Sequence, residues 1–398
     1  MNILLLTSNY PAPDLPKETT PVVHYFAKEW VSNGHKVIVI HNQTIFPRII
    51  YPFLRLFAKI LSTKVGYMFA TKKIKDTSYE IEGVCVYRKC MTKLFPHFSY
   101  SQKVYTKQLN KITSILKEAQ FTPDVIVAHW LTPQLKLLYL LKKYYPNIPN
   151  VLTIHEELPV LERDYGSKGD CYLTYVDKIA FRSERIRDIF INNHSISQNT
   201  FICYSGVPES YISIDNIRKI PPYIKTFTFT GTLIQRKHPE CLIMALKDYK
   251  YNDFVINFIG EGKEMENLKA LTSKYSLYDH VHFWGRIPRE QVIRIMNETD
   301  CFIMVSKFET FGLVYLEAMA KGCITIASKN EGMDGIIRNG ENGFLCEAGN
   351  WKDLKRTIDM INSLSSENKQ KISDNARKTA VTLTDRKVAI HYLDFIRL

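Results

Sequence analysis

Short, nearly continuous apolar runs recur along this chain, spaced so that a helix fits between them. In the first half they are Ile3–Thr7, Val37–His41, Val84–Arg88, Val125–Ala128, Val151–Ile154 and Phe201–Tyr204, with helical segments such as Pro21–Ser32 and Ser101–Ala119 between several of them. The second half repeats the pattern with Thr226–Thr230, Val255–Ile259, Val281–Trp284, Cys301–Val305 and Ile324–Ala327. Strands that are apolar on both faces, separated by helices, form parallel sheets covered on both sides. At 398 residues the chain is too long for one ordinary core. The pattern therefore predicts an α/β protein of two doubly wound domains, residues 1–208 and 226–384. Residues 209–225, which include Pro221-Pro222, break the pattern and read as a linker. Val388, Tyr392 and Phe395 recur at helical spacing in a last helix over 385–398. In doubly wound folds ligands bind at the carboxyl ends of the strands, so two such domains facing each other place a cleft there.

Composition narrows the class. Hydrophobic content of 45% and charged content of 23% belong to a globular protein. The eight cysteines are scattered, with no C-x-x-C and no Cys/His cluster, which suits reduced thiols in a reducing, cytoplasmic compartment. Met1-Asn-Ile-Leu-Leu-Leu reads as a first strand and not a signal peptide, and no 18-residue uncharged apolar run is present. The net charge of +13 sits almost wholly in residues 1–150, with 20 Lys/Arg against 8 Asp/Glu. From Trp30 to Lys75 there are eight basic residues and no acidic one. Within the basic segment 45–75, Arg55 and Lys59 share a helical face opposite Leu54, Phe57 and Leu61, with Arg48 just upstream. Such a segment can lie on an anionic membrane surface, each basic group contributing about 1 kcal/mol near it. The alternative is a core helix with a solvated basic edge. Charge alone, without a recognisable binding motif, argues against nucleic acid.

The most informative stretch is Ser306-Lys-Phe-Glu-Thr-Phe-Gly-Leu-Val-Tyr-Leu-Glu-Ala-Met-Ala-Lys-Gly322. It sets Glu309 and Glu317 eight residues apart around a helix start, with Gly312 at the turn. The free N–H groups there, after Phe311 and through Gly312 and Leu313, suit a phosphate. At about 1.5 Å per residue the two carboxylates fall roughly 12 Å apart along the axis. That is the reach of a ligand with a diphosphate between two hydroxyl-bearing rings, the shape of a sugar nucleotide. An ordinary amphipathic helix with two exposed glutamates is the competing explanation. Arg236 and Lys237, in the loop Gly231–His238 after a strand, are placed to meet a diphosphate. Gly260 and Gly262 form a Gly-x-Gly turn after the next strand. His155 follows the strand Val151–Ile154, and His129-Trp-Leu-Thr-Pro133 ends another. Glu156 and Glu157 beside His155 either raise its pKa or meet acceptor hydroxyls; His129 and Trp130 either meet a sugar or pack the turn. No D-x-D motif occurs, and Asp14 and Asp170 are isolated, so no metal site is read.

The stretch 306–322 closely resembles the E-x7-E signature of retaining glycosyltransferases of family four, which have the GT-B fold. The resemblance covers most of the chain and is most specific from Gly231 to Gly349, including Asn342-Gly-Phe-Leu345. It implies two facing Rossmann-like domains, an N-terminal acceptor-binding one and a C-terminal nucleotide-sugar-binding one, with the last helix crossing back to the first. It also implies that Glu309 holds the donor sugar, Glu317 the ribose and Lys237 the diphosphate. By the same resemblance the Gly260/Gly262 turn shapes the nucleotide cleft, Arg286 and Ile287 lie beside the base, and His155 faces the donor sugar and phosphate. Two departures stand out: Thr232 where many members have Arg, and His238 in place of the usual Gly. The loop after the first strand carries Glu18-Thr19-Thr20 where the family usually has glycines. The implied activity is metal-independent transfer of a hexosyl group from a nucleoside-diphosphate donor to a hydroxyl of a glycan or lipid-linked acceptor, in cell-surface polysaccharide biosynthesis. No cofactor beyond the donor substrate is implied, and the basic segment suggests a peripheral place on the inner face of the cell membrane. A sugar-nucleotide epimerase on the same fold, or an inactive peripheral-membrane scaffold, are the alternatives.

Overall fold

Strand β1 (Asn2–Thr7) buries five residues in succession, Ile3 through Thr7, as a strand with helices on both faces must. In this computed structural model, which describes residues 1–14, 21–47, 74–94, 98–156, 159–194, 198–212 and 219–397, β1 lies inside a sheet. It pairs in parallel with β2 (Lys36–Ile45) on one side and with β5 (Val125–His129) on the other, Leu4 standing opposite both Ile38 and Ile126. Beyond β5 follow β6 (Asn150–Ile154), β7 (Lys178–Phe181) and β8 (Asn199–Ile202), all parallel. Beyond β2 lies β4 (Val84–Thr92), whose edge is covered by the antiparallel strand β3 (Thr77–Ile81). The strand order is therefore β3-β4-β2-β1-β5-β6-β7-β8.

A second sheet comprises β9 (Thr226–Thr230), β10 (Val255–Ile259), β11 (Val281–Gly285), β12 (Cys301–Ile303), β13 (Ile324–Ser328) and β14 (Phe344–Cys346). All its pairings are parallel, in the order β11-β10-β9-β12-β13-β14. The strand order reverses between β9 and β12, and a crevice opens at the carboxyl ends of strands where such a reversal occurs. Phe227 and Phe229 on β9, Phe258 on β10 and Phe302 on β12 are fully buried, each worth about 1.5–3 kcal/mol of removed apolar surface. They make this crevice the rim of a well-packed core.

The chain divides into two units, Met1–Cys203 with Val388–Leu398, and Tyr204–Lys387. Residues 204–212 belong to the second because Val207 N–H donates to Leu383 O and Asp385 N–H donates back to Val207 O. Ile220 and Ile224 are held there by Gln370 and Asn362, whose side-chain oxygens accept their N–H groups. The last helix, Asp385–Arg397, delivers Tyr392 into the core of the first unit. Its hydroxyl lies 2.8 Å from Thr153 Oγ1, its ring packs on Phe26 and Trp30, and Trp30 Nε1 donates to Ala389 O.

Some elements depart from expectation for visible reasons. Strand β2 runs past the apolar run because buried polar residues continue it: Gln108 Nε2 donates to Asn42 Oδ1 at 2.7 Å, giving that side chain an internal partner. All eight cysteines are free thiols. Among the described residues no helix is long and apolar enough to cross a membrane. The core of the basic segment, residues 48–73 with Arg48, Arg55 and Lys59, lies outside the described residues, as do Glu18-Thr19-Thr20 and Glu157.

Candidate active site

The loops leaving β9 and β12 flank the reversal in strand order, and they carry the charged groups. After β9, Gly231 opens a loop that closes in a single turn at Gln235–Lys237. His238 ends that turn in the left-handed conformation (φ 47°, ψ 48°), the geometry that makes glycine the usual choice at such a position. Lys307 N–H donates to Arg236 O at 2.7 Å and ties the two loops together. Lys237 Nζ then lies 3.1 Å from Glu309 Oε2, and Arg236 Nη1 lies 3.8 Å from the same oxygen while donating to Phe308 O. Glu309 is 8% exposed and the Lys237 side chain 13%, so their pair is largely screened from water, whereas Arg236 is exposed.

Gly260 and Gly262 form the floor under that loop. A Cβ on Gly260 would stand 1.9 Å from Gly231 O, and one on Gly262 2.1 Å from Leu233 O. Only glycine permits the approach that lets Gly231 N–H donate to Ile259 O and Leu233 N–H donate to Glu261 O.

On the β12 side, Phe311 is buried and Gly312 is left-handed (φ 80°), where a Cβ would strike the Tyr315 ring at 2.4 Å. The helix Leu313–Ala320 starts directly after Gly312, and no side chain caps it. This corrects one geometric expectation. Glu309 precedes the helix by a non-helical turn, so a helical rise counted across all eight residues does not describe the Glu309–Glu317 separation. The competing explanation of two exposed glutamates also fails: Glu317 is 5% exposed and ion-paired with Arg289 Nη2. Burial pushes the Glu317 carboxyl up, with Arg289 opposing. Arg289 Nε in turn donates to Tyr211 at 2.7 Å. Sequence reasoning missed Arg289, which opens the helix Arg289–Asn297; no local spacing links it to a glutamate 28 residues away. Arg286 follows β11 and is exposed, whereas Ile287 is half-buried against the core of this unit.

In the first unit, His129 ends β5 and His155 follows β6, on neighbouring strands. Their rings meet, with His129 Nδ1 2.9 Å from His155 Nε2, and Trp130 stacks on His155 at 4.3 Å between centroids. His129 is fully buried, so it supports His155 from below and packs the turn. Burial, then the nearby Arg182 charge, holds His129 at about 3. Burial, Arg182 and His129 together hold His155 well below the usual imidazole range. The option that Glu156 raises the His155 pKa is thereby overturned: its carboxylate turns to the backbone, accepting N–H bonds from Leu131 and His155. Burial pushes the Glu156 carboxyl itself up to about 7, those N–H bonds opposing.

Two sheets of largely parallel strands, one in each unit, are the architecture of the GT-B fold. Comparison with known proteins agrees. An uncharacterized glycosyltransferase of Methanocaldococcus jannaschii is 26% identical over 341 residues, covering 82% of this chain and 90% of that protein. The lipopolysaccharide core biosynthesis glycosyltransferase LpsE of Rhizobium meliloti is 27% identical over 149 residues, 37% of this chain and 40% of its own. A crystal structure of a glycosyltransferase from Rickettsia africae matches all of this chain and 97% of its own, at 18% identity and a TM-score of 0.71. Anabaena HepE in complex with UDP-glucose matches with a TM-score of 0.65 at 16% identity, over 100% and 99% of the two chains. Residues 213–379 match the family model of glycosyl transferases group 1. Over those residues, which make up most of the second unit, the chain is similar to that family of glycosyltransferases.

Proposed function

We propose that this protein is a retaining glycosyltransferase that moves a hexosyl group from a nucleoside-diphosphate donor to a hydroxyl of a glycan or lipid-linked acceptor in cell-surface polysaccharide biosynthesis. The observation that carries the reading is the Lys237–Glu309 pair at the carboxyl ends of β9 and β12, buried and held by loops that meet through Arg236 O. Arg236, Lys237 and the N–H groups at the start of the helix Leu313–Ala320 offset the diphosphate charge, so a bridging metal is not required. Glu309 takes the sugar hydroxyls and Glu317 the ribose. Gly231, Gly260 and Gly262 shape the nucleotide site, with Arg286 and Ile287 beside the base. In the first unit, His155 serves the reacting end, and the acceptor binds there.

Transfer breaks the bond from the sugar's anomeric carbon to the diphosphate oxygen. The acceptor oxygen bonds that carbon on the same face, and the departing phosphate oxygen takes its proton. The protein's part is positioning and charge neutralisation. The basic segment 45–75 supports a peripheral place on an anionic membrane surface, at the inner face of the cell membrane. Thermal-shift screening of UDP-, GDP- and ADP-sugars, followed by transfer assays with determination of the anomeric configuration of the product, tests the reading. Full activity in both Glu309→Ala and Glu317→Ala would overturn the site. Isomerised donor without any acceptor would indicate epimerase chemistry. Replacing Arg55 and Lys59 with Glu should release the protein from anionic vesicles; unchanged binding rejects the membrane role.

A further inference from the structure

We infer that Glu331 is a positioning residue for transfer, holding the main chain of Phe308 and Glu309 so that the Glu309 carboxylate points to the donor sugar. The inference rests on the role given above to Glu309. Glu331 stands in the loop after β13, 22 residues beyond Glu309, and is 8% exposed. Its two carboxylate oxygens divide between two successive N–H groups: Oε1 accepts from Phe308 at 3.0 Å and Oε2 from Glu309 at 2.8 Å. The next residue closes the clamp, because Gly332 N–H donates to Glu309 O at 2.9 Å. Three hydrogen bonds from two adjacent residues thus fix the backbone on both sides of the Glu309 side chain.

The approach is close enough to demand glycine beside the glutamate. A Cβ on Gly332 would lie 2.5 Å from Phe311 N and 2.6 Å from its Cα. Phe308 itself is left-handed (φ 57°) and half exposed, a conformation that costs a bulky L-residue energy. Something must hold it there, and the Glu331 carboxylate bonds its N–H. A shift of about 1 Å in such a positioned group costs up to ~100-fold in rate.

Glu331→Gln replaces one acceptor oxygen with an NH2 group, which opposes one of the two N–H groups. Glu331→Asp keeps the charge with a shorter reach and serves if the Gln variant does not fold. The test is a double-mutant cycle with Glu309→Gln, reading kcat and KM for transfer from the UDP-, GDP- or ADP-sugar that the wild type uses, and Kd for the matching free nucleoside diphosphate. Glu331→Gln should lower kcat/KM at least about tenfold while the free diphosphate binds within about twofold of wild type. In the Glu309→Gln background the same change should cost little, since both act on one carboxylate. Unchanged transfer, fully additive losses, or an equal loss in diphosphate binding would overturn the inference while leaving the Glu309 assignment standing. Full transfer in Glu309→Gln alone would overturn both.

Discussion

Lys237 and Glu309 lie 72 residues apart in sequence, yet Nζ of one is 3.1 Å from Oε2 of the other, with side chains 13% and 11% exposed. Removing one partner of a screened pair leaves a charge that the site cannot solvate. Lys237→Met should therefore destabilise the second unit by about 3 kcal/mol, as read by urea unfolding. It should also lower kcat for transfer by about 100-fold, since the cation proposed to face the departing diphosphate is lost. A variant with unchanged kcat would mean that Lys237 serves packing only.

Glu317 is held by Arg289, and Arg289 by Tyr211, so the carboxylate proposed to take the ribose is oriented by the protein itself. Glu317→Ala should weaken binding of the free nucleoside diphosphate about tenfold, the worth of a charge-assisted hydrogen bond. Arg289→Ala should weaken it less, because it loosens the carboxylate without removing it. Calorimetric titration measures both. Wild-type affinity in Glu317→Ala removes the ribose role.

Gly260, in the floor under the Gly231–His238 loop, and Gly340, in the turn before β14, separate two costs that are often confused. Gly340 is left-handed (φ 78°), but a Cβ there would meet nothing within 4 Å. Gly340→Ala should cost about 1 kcal/mol, the conformational term alone. At Gly260 (φ 138°) the new Cβ would sit 1.9 Å from Gly231 O, a backbone atom that cannot rotate away. Gly260→Ala should cost about 3 kcal/mol and shift the Gly231–Leu233 loop, weakening donor binding as well. Equal destabilisation of the two variants would show that the floor yields.

The periodicity of apolar runs made the two parallel sheets legible, because burial on both faces leaves a signature in single strands. It missed β3, whose residues are mostly exposed, and β14, which is three residues long. Lys237, Glu309 and Glu317 were legible because each stands in a recognisable motif beside a strand end or helix start. Arg289 and Glu331 were not, because each meets its glutamate or its loop across more than 20 residues, where no spacing rule reaches. The departure at His238 was legible as a missing glycine, and its left-handed backbone shows what that glycine is for. The helical rise drawn through Gly312 failed because a left-handed residue starts the helix later than the charge spacing suggests.

The cluster around His155 should leave a mark on acid unfolding. His129, held at about 3, and His155, held well below 6.5, stay neutral in the folded protein while unfolded imidazoles take up protons near 6.5. The same holds for His41, lowered to about 4 by burial. Each lowers stability as pH falls through 6.5, because the unfolded chain binds more protons. Glu156 has the opposite sign. Its folded carboxyl takes a proton near 7 and the unfolded one near 4.5, so its contribution is full below 4.5 and is lost as pH rises through 7. Between pH 7 and 4.5 the carboxyl therefore offsets part of what the imidazoles lose. Glu156→Gln removes that offset, and its oxygen can still accept the N–H groups of Leu131 and His155. Its melting temperature should fall more steeply than that of wild type from pH 7 to 4.5, and in parallel with wild type below 4.5. Circular dichroism melts across this range measure both slopes; equal slopes throughout would mean that Glu156 is already ionised in the folded protein well below pH 7.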